Sequence, residues 1–292
     1  MWRTIRHLME HPLNRTNRLA AIMRFFRWQM VARIMPYPHV VPFVDDTVLV
    51  MEKGMTGATG NWYSGLHESA DMAFVLHLLR GGDVFADIGA NVGSYTILAA
   101  GCCRSKVVSV EPIPGTFSKL ERNVAVNRLS DLVTCHNIGA GSEEGTLRFT
   151  ADSDTKNHVV SEAEAKGTKT LDVPVRRLDD VLSGATPRLM KIDVEGWESE
   201  VLKGMPQILA DPTLVAIVTE TNDFADRYQS DGQSEVAQIM AQAGFVPCSY
   251  DPFAREVRQG GTHQNTIFVR DLALVQERVK TARRFTLING EI

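Results

Sequence analysis

The chain has 292 residues, 44% of them apolar and 23% charged, with a formal net charge of −4 at pH 7. This suits one large α/β domain with an N-terminal extension better than two full domains. The mild acidity supplies no basic excess for neutralising phosphates, so no nucleic-acid partner is expected. Cys102, Cys103, Cys135 and Cys248 lack both C-x-x-C spacing and the density of a disulfide scaffold; they read as reduced, buried small residues of a cytoplasmic protein.

Residues 1–60 read as a basic helical extension and a short strand region. Between Met1 and Pro36, seven arginines stand against one acid, Glu10. Leu19, Ile22, Met23, Phe26, Met30 and Ile34 recur among them at helical spacing, which predicts an amphipathic basic helix. Its apolar stripe is expected to dock on its own domain or on a second subunit in a homo-oligomer. The weaker reading is peripheral contact of residues 1–36 with the inner membrane face. Arginines interrupt every candidate apolar core, so the segment does not read as a secretory signal, and no run is long enough to span a bilayer.

Pro36-Tyr37-Pro38 and Pro42 end the leader, and Thr47 to Met51 reads as a strand before a turn through Gly54, Gly57 and Gly60. A main domain over 61–270 and a tail over 271–292 follow. A helix over Glu68 to Leu79 is stopped by Gly81-Gly82-Asp83. Strand Val84 to Ile88 then breaks into Gly89-Ala90-Asn91-Val92-Gly93, a helix runs from Ser94 to Ala100, and strand Lys106 to Val110 ends in Glu111. Next come a helix over Pro114 to Asn127 and a strand over Leu132 to Asn137. Strands Gly145 to Thr150 and Leu171 to Arg176 flank a polar insertion, 151–170, suited to a mobile loop over a site. Strands Arg188 to Ile192 and Leu214 to Thr219 carry helices Trp197 to Leu209 and Ser234 to Ala243, and Phe245 to Tyr250 and Asn265 to Val269 close the sheet as an antiparallel pair. The fold class is therefore α/β with a Rossmann-like, mostly parallel sheet, an antiparallel edge and an N-terminal helical extension.

In such sheets ligands sit beyond the carboxyl ends of the strands, where strand order reverses. Asp87, Gly89, Asn91 and Gly93 form a turn that lets backbone approach a ligand, and Glu111, about twenty residues on, stands where a ribose-binding acid is expected. Asn91 replaces the middle glycine of a dinucleotide turn. Asp87 would repel a diphosphate but suits the cationic amino and sulfonium groups of S-adenosylmethionine, the cofactor so expected. Asn137 is placed near the adenine edge and Glu68 near the donor's amino-acid end.

Three segments, Asp87-Ile88-Gly89-Ala90-Asn91-Val92-Gly93, Glu111-Pro112, and Lys191-Ile192-Asp193-Val194-Glu195-Gly196 with Glu198, resemble the FkbM family of S-adenosylmethionine-dependent methyltransferases. Tyr63, Gly65, Glu68 and Glu220 extend the resemblance, which covers roughly Asn61 to Val269. It implies a class I methyltransferase sheet and O-methylation of a hydroxyl on a sugar, glycolipid or secondary metabolite, a small-molecule or glycan acceptor.

On the acceptor side, Asp193 is the first choice as base or orienting group, joined by Glu195, Glu220 and His263. Glu195 and Glu198 read equally well as helix caps. Glu220 with Asn222, Asp223 and Asp193 offers oxygen ligands to a divalent cation, although no metal ligand is assigned. Trp62, Tyr63 and Trp197 read as core aromatics before stacking platforms. The rival readings are a nicotinamide-dependent oxidoreductase, disfavoured by the missing G-x-G-x-x-G turn, and a non-catalytic scaffold that binds membranes or partners.

Overall fold

A computed structural model describes residues 2–150, 170–221, 235–261 and 265–292. The leader forms α1 (Trp2–Glu10) and α2 (Arg18–Ile34), followed by the hairpin β1 (His39–Pro42) and β2 (Val48–Met51), then α3 (Thr56–Ser64) and α4 (Ser69–Leu78). The α/β part follows as β3 (Val84–Ile88), α5 (Ser94–Ile97), β4 (Lys106–Val110), α6 (Pro114–Val126), β5 (Val133–His136), β6 (Gly139–Ala140), β7 (Gly145–Thr150), β8 (Thr170–Arg176), α7 (Leu178–Val181) and β9 (Leu189–Ile192). It continues with α8 (Glu198–Lys203), α9 (Pro206–Ala210), β10 (Ala216–Glu220), α10 (Glu235–Gln242), β11 (Val246–Asp251), β12 (Glu256–Gln259) and β13 (Asn265–Val269). The C-terminal segment adds α11 (Leu272–Lys280) and a small hairpin, β14 (Thr286–Leu287) with β15 (Gly290–Glu291).

The main sheet has eight strands in the order β12-β11-β13-β10-β9-β3-β4-β5. Strands β5, β4, β3, β9 and β10 are parallel, while β13, β11 and β12 make an antiparallel edge. Central strands such as Val84-Phe85-Ala86-Asp87-Ile88 are nearly continuous in apolar residues because helices cover both faces. The chain walks outward from β3 through β4 to β5, then returns to the other side of β3 at β9. That reversal opens a crevice at the carboxyl ends of β3 and β9. In the β3–β9 register Asp87 faces Lys191, and in the β3–β4 register it faces Ser109.

Several details depart from the expectations. The helix expected over 197–209 is two, because Gly204 passes so close to Gly141 that a Cβ would lie 2.0 Å from its carbonyl oxygen, and Pro206 opens the second. The helix after Gly93 keeps α geometry only to Ile97 and finishes as a π turn over Leu98–Cys102. The edge pair is extended by β12, and β6, β7 and β8 form a separate small sheet. The insertion expected to cover the site lies almost wholly outside the described residues. The C-terminal segment folds back, with Arg278 bonded to Leu78 and Asp83, and Asn289 bonded to Leu13 and Ser64.

The leader differs most. Helix α2 docks through Ala21, Phe25, Trp28 and Ala32, all buried, and not through the stripe expected to dock. Phe25 meets Tyr63 of α3 edge-on at 5.5 Å, and Arg24 donates to the Tyr63 carbonyl at 2.8 Å. Leu19, Met23, Phe26, Met30 and Ile34 are exposed, and Ile22 is half-buried. The helix is apolar on both sides, and the face carrying the larger Trp28 and Phe25 is the one that buries. All four cysteines are free, and no described helix is long and apolar enough to cross a membrane.

Candidate active site

The crevice is a cleft of about 270 Å³. Its floor is made by the ends of β3, β4, β9 and β10, with the first turn of α3, Thr56 and Gly57, on one wall. Gly89 makes the floor thin: its φ is +77°, and a Cβ there would lie 1.9 Å from the Asp193 carbonyl oxygen. Glycine alone lets the β3 and β9 loops touch backbone to backbone. Gly93, at φ +89°, starts α5 and packs on Leu120 behind the cleft.

Glu111 is buried at the end of β4 and lines the cleft. Its Oε2 accepts the Asn91 N–H at 2.9 Å and its Oε1 the Ile113 N–H at 3.0 Å. Burial pushes its carboxyl up to about 7 against those two donors. Each oxygen keeps a second lone pair for a ligand hydroxyl. Asn91, at φ +51°, closes its turn by accepting the Val92 N–H at 2.7 Å.

Beside this lies a buried ionic cluster that sequence reasoning saw only in part. Asp87 is almost wholly buried and accepts from Thr96 Oγ1 at 2.6 Å, and Thr96 also bonds Ser109 at 2.8 Å. Burial raises the Asp87 carboxyl, with the Lys191 ammonium and the Thr96 hydroxyl opposing. Lys191 Nζ donates to Asp193 Oδ2 at 2.6 Å and sits 4.7 Å from the centre of the Tyr95 ring. Burial works against its ammonium, but Asp193, Glu68 and Asp87 outweigh it, and its pKa is raised. Glu68 is gripped from two sides, accepting Tyr95 OH at 2.7 Å and Asn265 Nδ2 at 3.0 Å. The same Asn265 amide reaches Asp71 at 3.0 Å, whose carboxyl is pushed up to about 7 by burial and by Glu68.

Asp193, Glu195 and Glu220, expected on the acceptor side, all line the cleft, as do Glu68, Asp87, Gly89 and Asn91. Glu195 holds a left-handed φ of +53°, a cost of about 1–3 kcal/mol for a non-glycine residue that recurs at functional sites. Glu198 is buried beneath this loop, with Oε1 accepting the Val194 and Gly196 N–H groups at 3.1 and 3.3 Å. It closes the loop from behind. Asn137 does not reach the cleft; its amide is spent on the Glu111 and Pro112 carbonyls at 2.8 and 3.0 Å, which fixes the turn that carries Glu111. Trp197 lines the cleft, whereas Trp62 and Tyr63 do not. His263 lies outside the described residues, together with Asn222 and Asp223, and no metal-holding cluster of histidine, cysteine and acidic side chains occurs among the described residues.

Lys191, Tyr95, Thr96, Asp71 and Asn265 are the site residues that sequence reasoning missed. A signal existed for Lys191: a lone charge inside the apolar run Leu189-Met190-Lys191-Ile192, two residues before Asp193 and so on the same strand face. The surroundings fit S-adenosylmethionine. Three carboxylates, Glu68, Asp87 and Asp193, surround one ammonium, leaving room for a ligand's positive charge. Glu111 offers acceptors to a ribose, Gly89 a close backbone approach, and Trp197 an indole N–H without a partner among the described residues.

The chain is similar to known proteins. The methyltransferase FkbM domain family matches residues 87–247. The chain is 30% identical over 167 residues to Methyltransferase 1 of Beauveria bassiana, covering 48% of this chain and 66% of that protein. It is 32% identical over 139 residues to the hexuronic acid methyltransferase AglP of Haloferax volcanii, covering 46% of this chain and 55% of that protein. The matches thus span between about half and two thirds of these relatives' length. Among solved structures, the precorrin-6y C5,15-methyltransferase of Geobacter metallireducens GS-15 aligns with 76% of this chain and 92% of its own at 14% identity and a TM-score of 0.41. The family match covers more than half of the chain and contains the β3, β4, β9 and β10 ends that floor the cleft, so the chain belongs to the FkbM family of S-adenosylmethionine-dependent methyltransferases.

Proposed function

We propose that this protein transfers a methyl group from S-adenosylmethionine to a hydroxyl of a sugar, glycolipid or secondary metabolite. The observation that carries the reading is the excess of carboxylates over Lys191 at the switch point, which selects a cationic ligand and opposes a diphosphate. Glu111 would take the ribose hydroxyls, Gly89 and Asn91 the backbone side, and Glu68 and Asp87 the amino-acid end. When bound, the donor supplies an electrophilic methyl group on a sulfonium that leaves as a neutral thioether.

The chain's own task is then to align a hydroxyl with that methyl group and exclude water, an orientation effect worth several kcal/mol. Asp193, with one oxygen held by Lys191, would orient the acceptor. One of two cleft carboxylates, Glu195 at its left-handed turn or Glu220 at the end of β10, would accept the hydroxyl proton. Trp197 and Phe149 line the cleft as aromatic side chains on which a ring could pack. A sugar acceptor is supported by the printed activity of AglP. This reading assigns catalysis to residues 61–270, with Thr56 and Gly57 of the preceding segment 1–60 contributing a wall of the cleft and 271–292 as a flanking tail, in a cytoplasmic protein.

The test is incubation of the full chain with methyl-labelled donor and fractionated glycans and small metabolites. Label should appear on a hydroxyl-bearing fraction and fall at least about a hundredfold in Glu195→Gln or Glu220→Gln, the usual effect of losing a proton-transfer group. Failure to label any fraction, or thermal stabilisation by NADH and not by S-adenosylhomocysteine, would overturn the reading.

A further inference from the structure

Helix α2 is apolar on two opposite faces, and only one is covered. Outward, Leu19, Met23, Phe26, Met30 and Ile34 recur every three or four residues and are each between 49% and 70% exposed. At about 100° per residue all five fall in one stripe roughly 80° wide. On the same wheel Arg27 lies about 20° beyond one edge of the stripe and Arg33 about 20° beyond the other. Both arginines are exposed, and neither pairs with a carboxylate among the described residues. Trp2 of α1 and Met35 and Tyr37 beyond α2 add further exposed apolar groups. A contiguous apolar stripe of this kind marks an interaction surface.

Charge decides between occupants. A twofold pairing with a second copy, centred on the stripe, sets Leu19 against Ile34 and brings the two Arg27 side chains together at the axis. The one acid of residues 1–36, Glu10, is already bonded to Arg6 at 2.9 Å. Like charges at the centre oppose that dimer. An anionic surface instead meets an apolar stripe with a guanidinium on either flank. The leader also carries a net +6 within a chain of net −4.

We propose that α2 seats this protein on an anionic lipid bilayer, with the stripe at the headgroup–acyl boundary and Arg27 and Arg33 at the level of the phosphates. The seat is joined to the cleft, because α2 packs through Phe25 and Arg24 on α3, whose Thr56 and Gly57 form part of the cleft wall.

The test floats the full chain with phosphatidylcholine vesicles and with vesicles containing about 30% phosphatidylglycerol, at low and raised salt. The protein should float with the anionic vesicles only and be released by salt. Arg27→Gln with Arg33→Gln should lower the partition about 25-fold, roughly fivefold for each charge. Met23→Ser with Met30→Ser should lower it at least about tenfold through lost apolar burial. Both pairs lie on an exposed face, so their melting temperatures should match the wild type. Failure to float, or equal flotation with neutral and anionic vesicles, overturns the proposal. So does a dimer in sedimentation equilibrium that Met23→Ser with Met30→Ser dissolves while vesicles leave it in solution.

Discussion

Replacing Gly89 by alanine adds a single methyl group at the point where the β3 and β9 loops touch. That methyl carbon would lie 1.9 Å from the Asp193 carbonyl oxygen and 2.9 Å from its carbon, at a backbone φ of +77°. Left-handed strain accounts for about 1–2 kcal/mol, and forcing the loops apart for a further 1–3 kcal/mol or so, as for other overpacked sites. Gly82 supplies the internal control, since it has a φ of +90° and nothing within 4 Å of its own built Cβ. Gly82→Ala therefore carries the strain alone. In urea titrations Gly89→Ala should lose about 2–5 kcal/mol and Gly82→Ala about 1–2. Calorimetry with S-adenosylhomocysteine should show binding abolished in Gly89→Ala and unchanged in Gly82→Ala. Equal destabilisation of the two variants, or normal binding by Gly89→Ala, refutes the claim that backbone contact shapes the cleft.

Glu198→Ala leaves the Val194 and Gly196 N–H groups unpaired beneath the loop and should cost about 1–3 kcal/mol, read from urea midpoints, with faster hydrogen exchange at those two amides; Glu198→Gln, which retains an acceptor, should restore most of it. Lys191→Met removes the cation facing Asp87, Asp193 and Glu68. Loss of a buried partner costs about 3–5 kcal/mol, and Asp193's part-exposure to solvent places the expected loss near the lower end. Because the Asp87 carboxyl, already raised by burial, then loses the ammonium that opposes the rise, the variant should regain stability as pH falls and lose it as pH rises, measured by melting at pH 5 to 8. Glu111 has its carboxyl near 7 when free, so a ligand that needs the carboxylate must first displace a proton below that pH. Affinity for S-adenosylhomocysteine should be flat above about pH 7 and fall below it by at most about tenfold per unit; Glu111→Gln should bind weakly throughout and show a shallower slope.

The parts of this molecule written in local pattern are legible in the sequence alone. Asp87, Gly89 and Glu111 sit at the ends of strands whose apolar runs announce themselves, and their spacing fixes where the strand ends fall. Side-chain partners that converge from distant segments were not legible. Asn265 reaches Glu68 and Asp71 across nearly two hundred residues, and Tyr95 and Thr96 read as ordinary helix residues until α5 lies over β3. Asn137 stands at a strand end that suggests a ligand contact, whereas its amide N–H groups hold the Glu111–Pro112 turn. The leader misled for a different reason. Periodicity identifies an apolar stripe, but when a helix has two of them, only packing against a partner, here Tyr63, decides which one is covered.

The charge arithmetic of the cleft bears on function more directly than any single residue does. Buried ion pairs contribute little to stability once desolvation is counted, so Lys191 with Asp193 and Asp87 is poorly explained as reinforcement of the sheet. A single lysine partly neutralises three carboxylates, which keeps the empty cleft tolerable. It stops short of balance, and a ligand that brings positive charge reduces the deficit that remains. A ligand with no cationic group would leave the deficit unmet and pay desolvation as well. Lys191 thus tunes how strongly the site prefers a cation. The excess carboxylates follow from binding a sulfonium donor, and they oppose the diphosphate of a nicotinamide cofactor at the same switch point of the same kind of sheet.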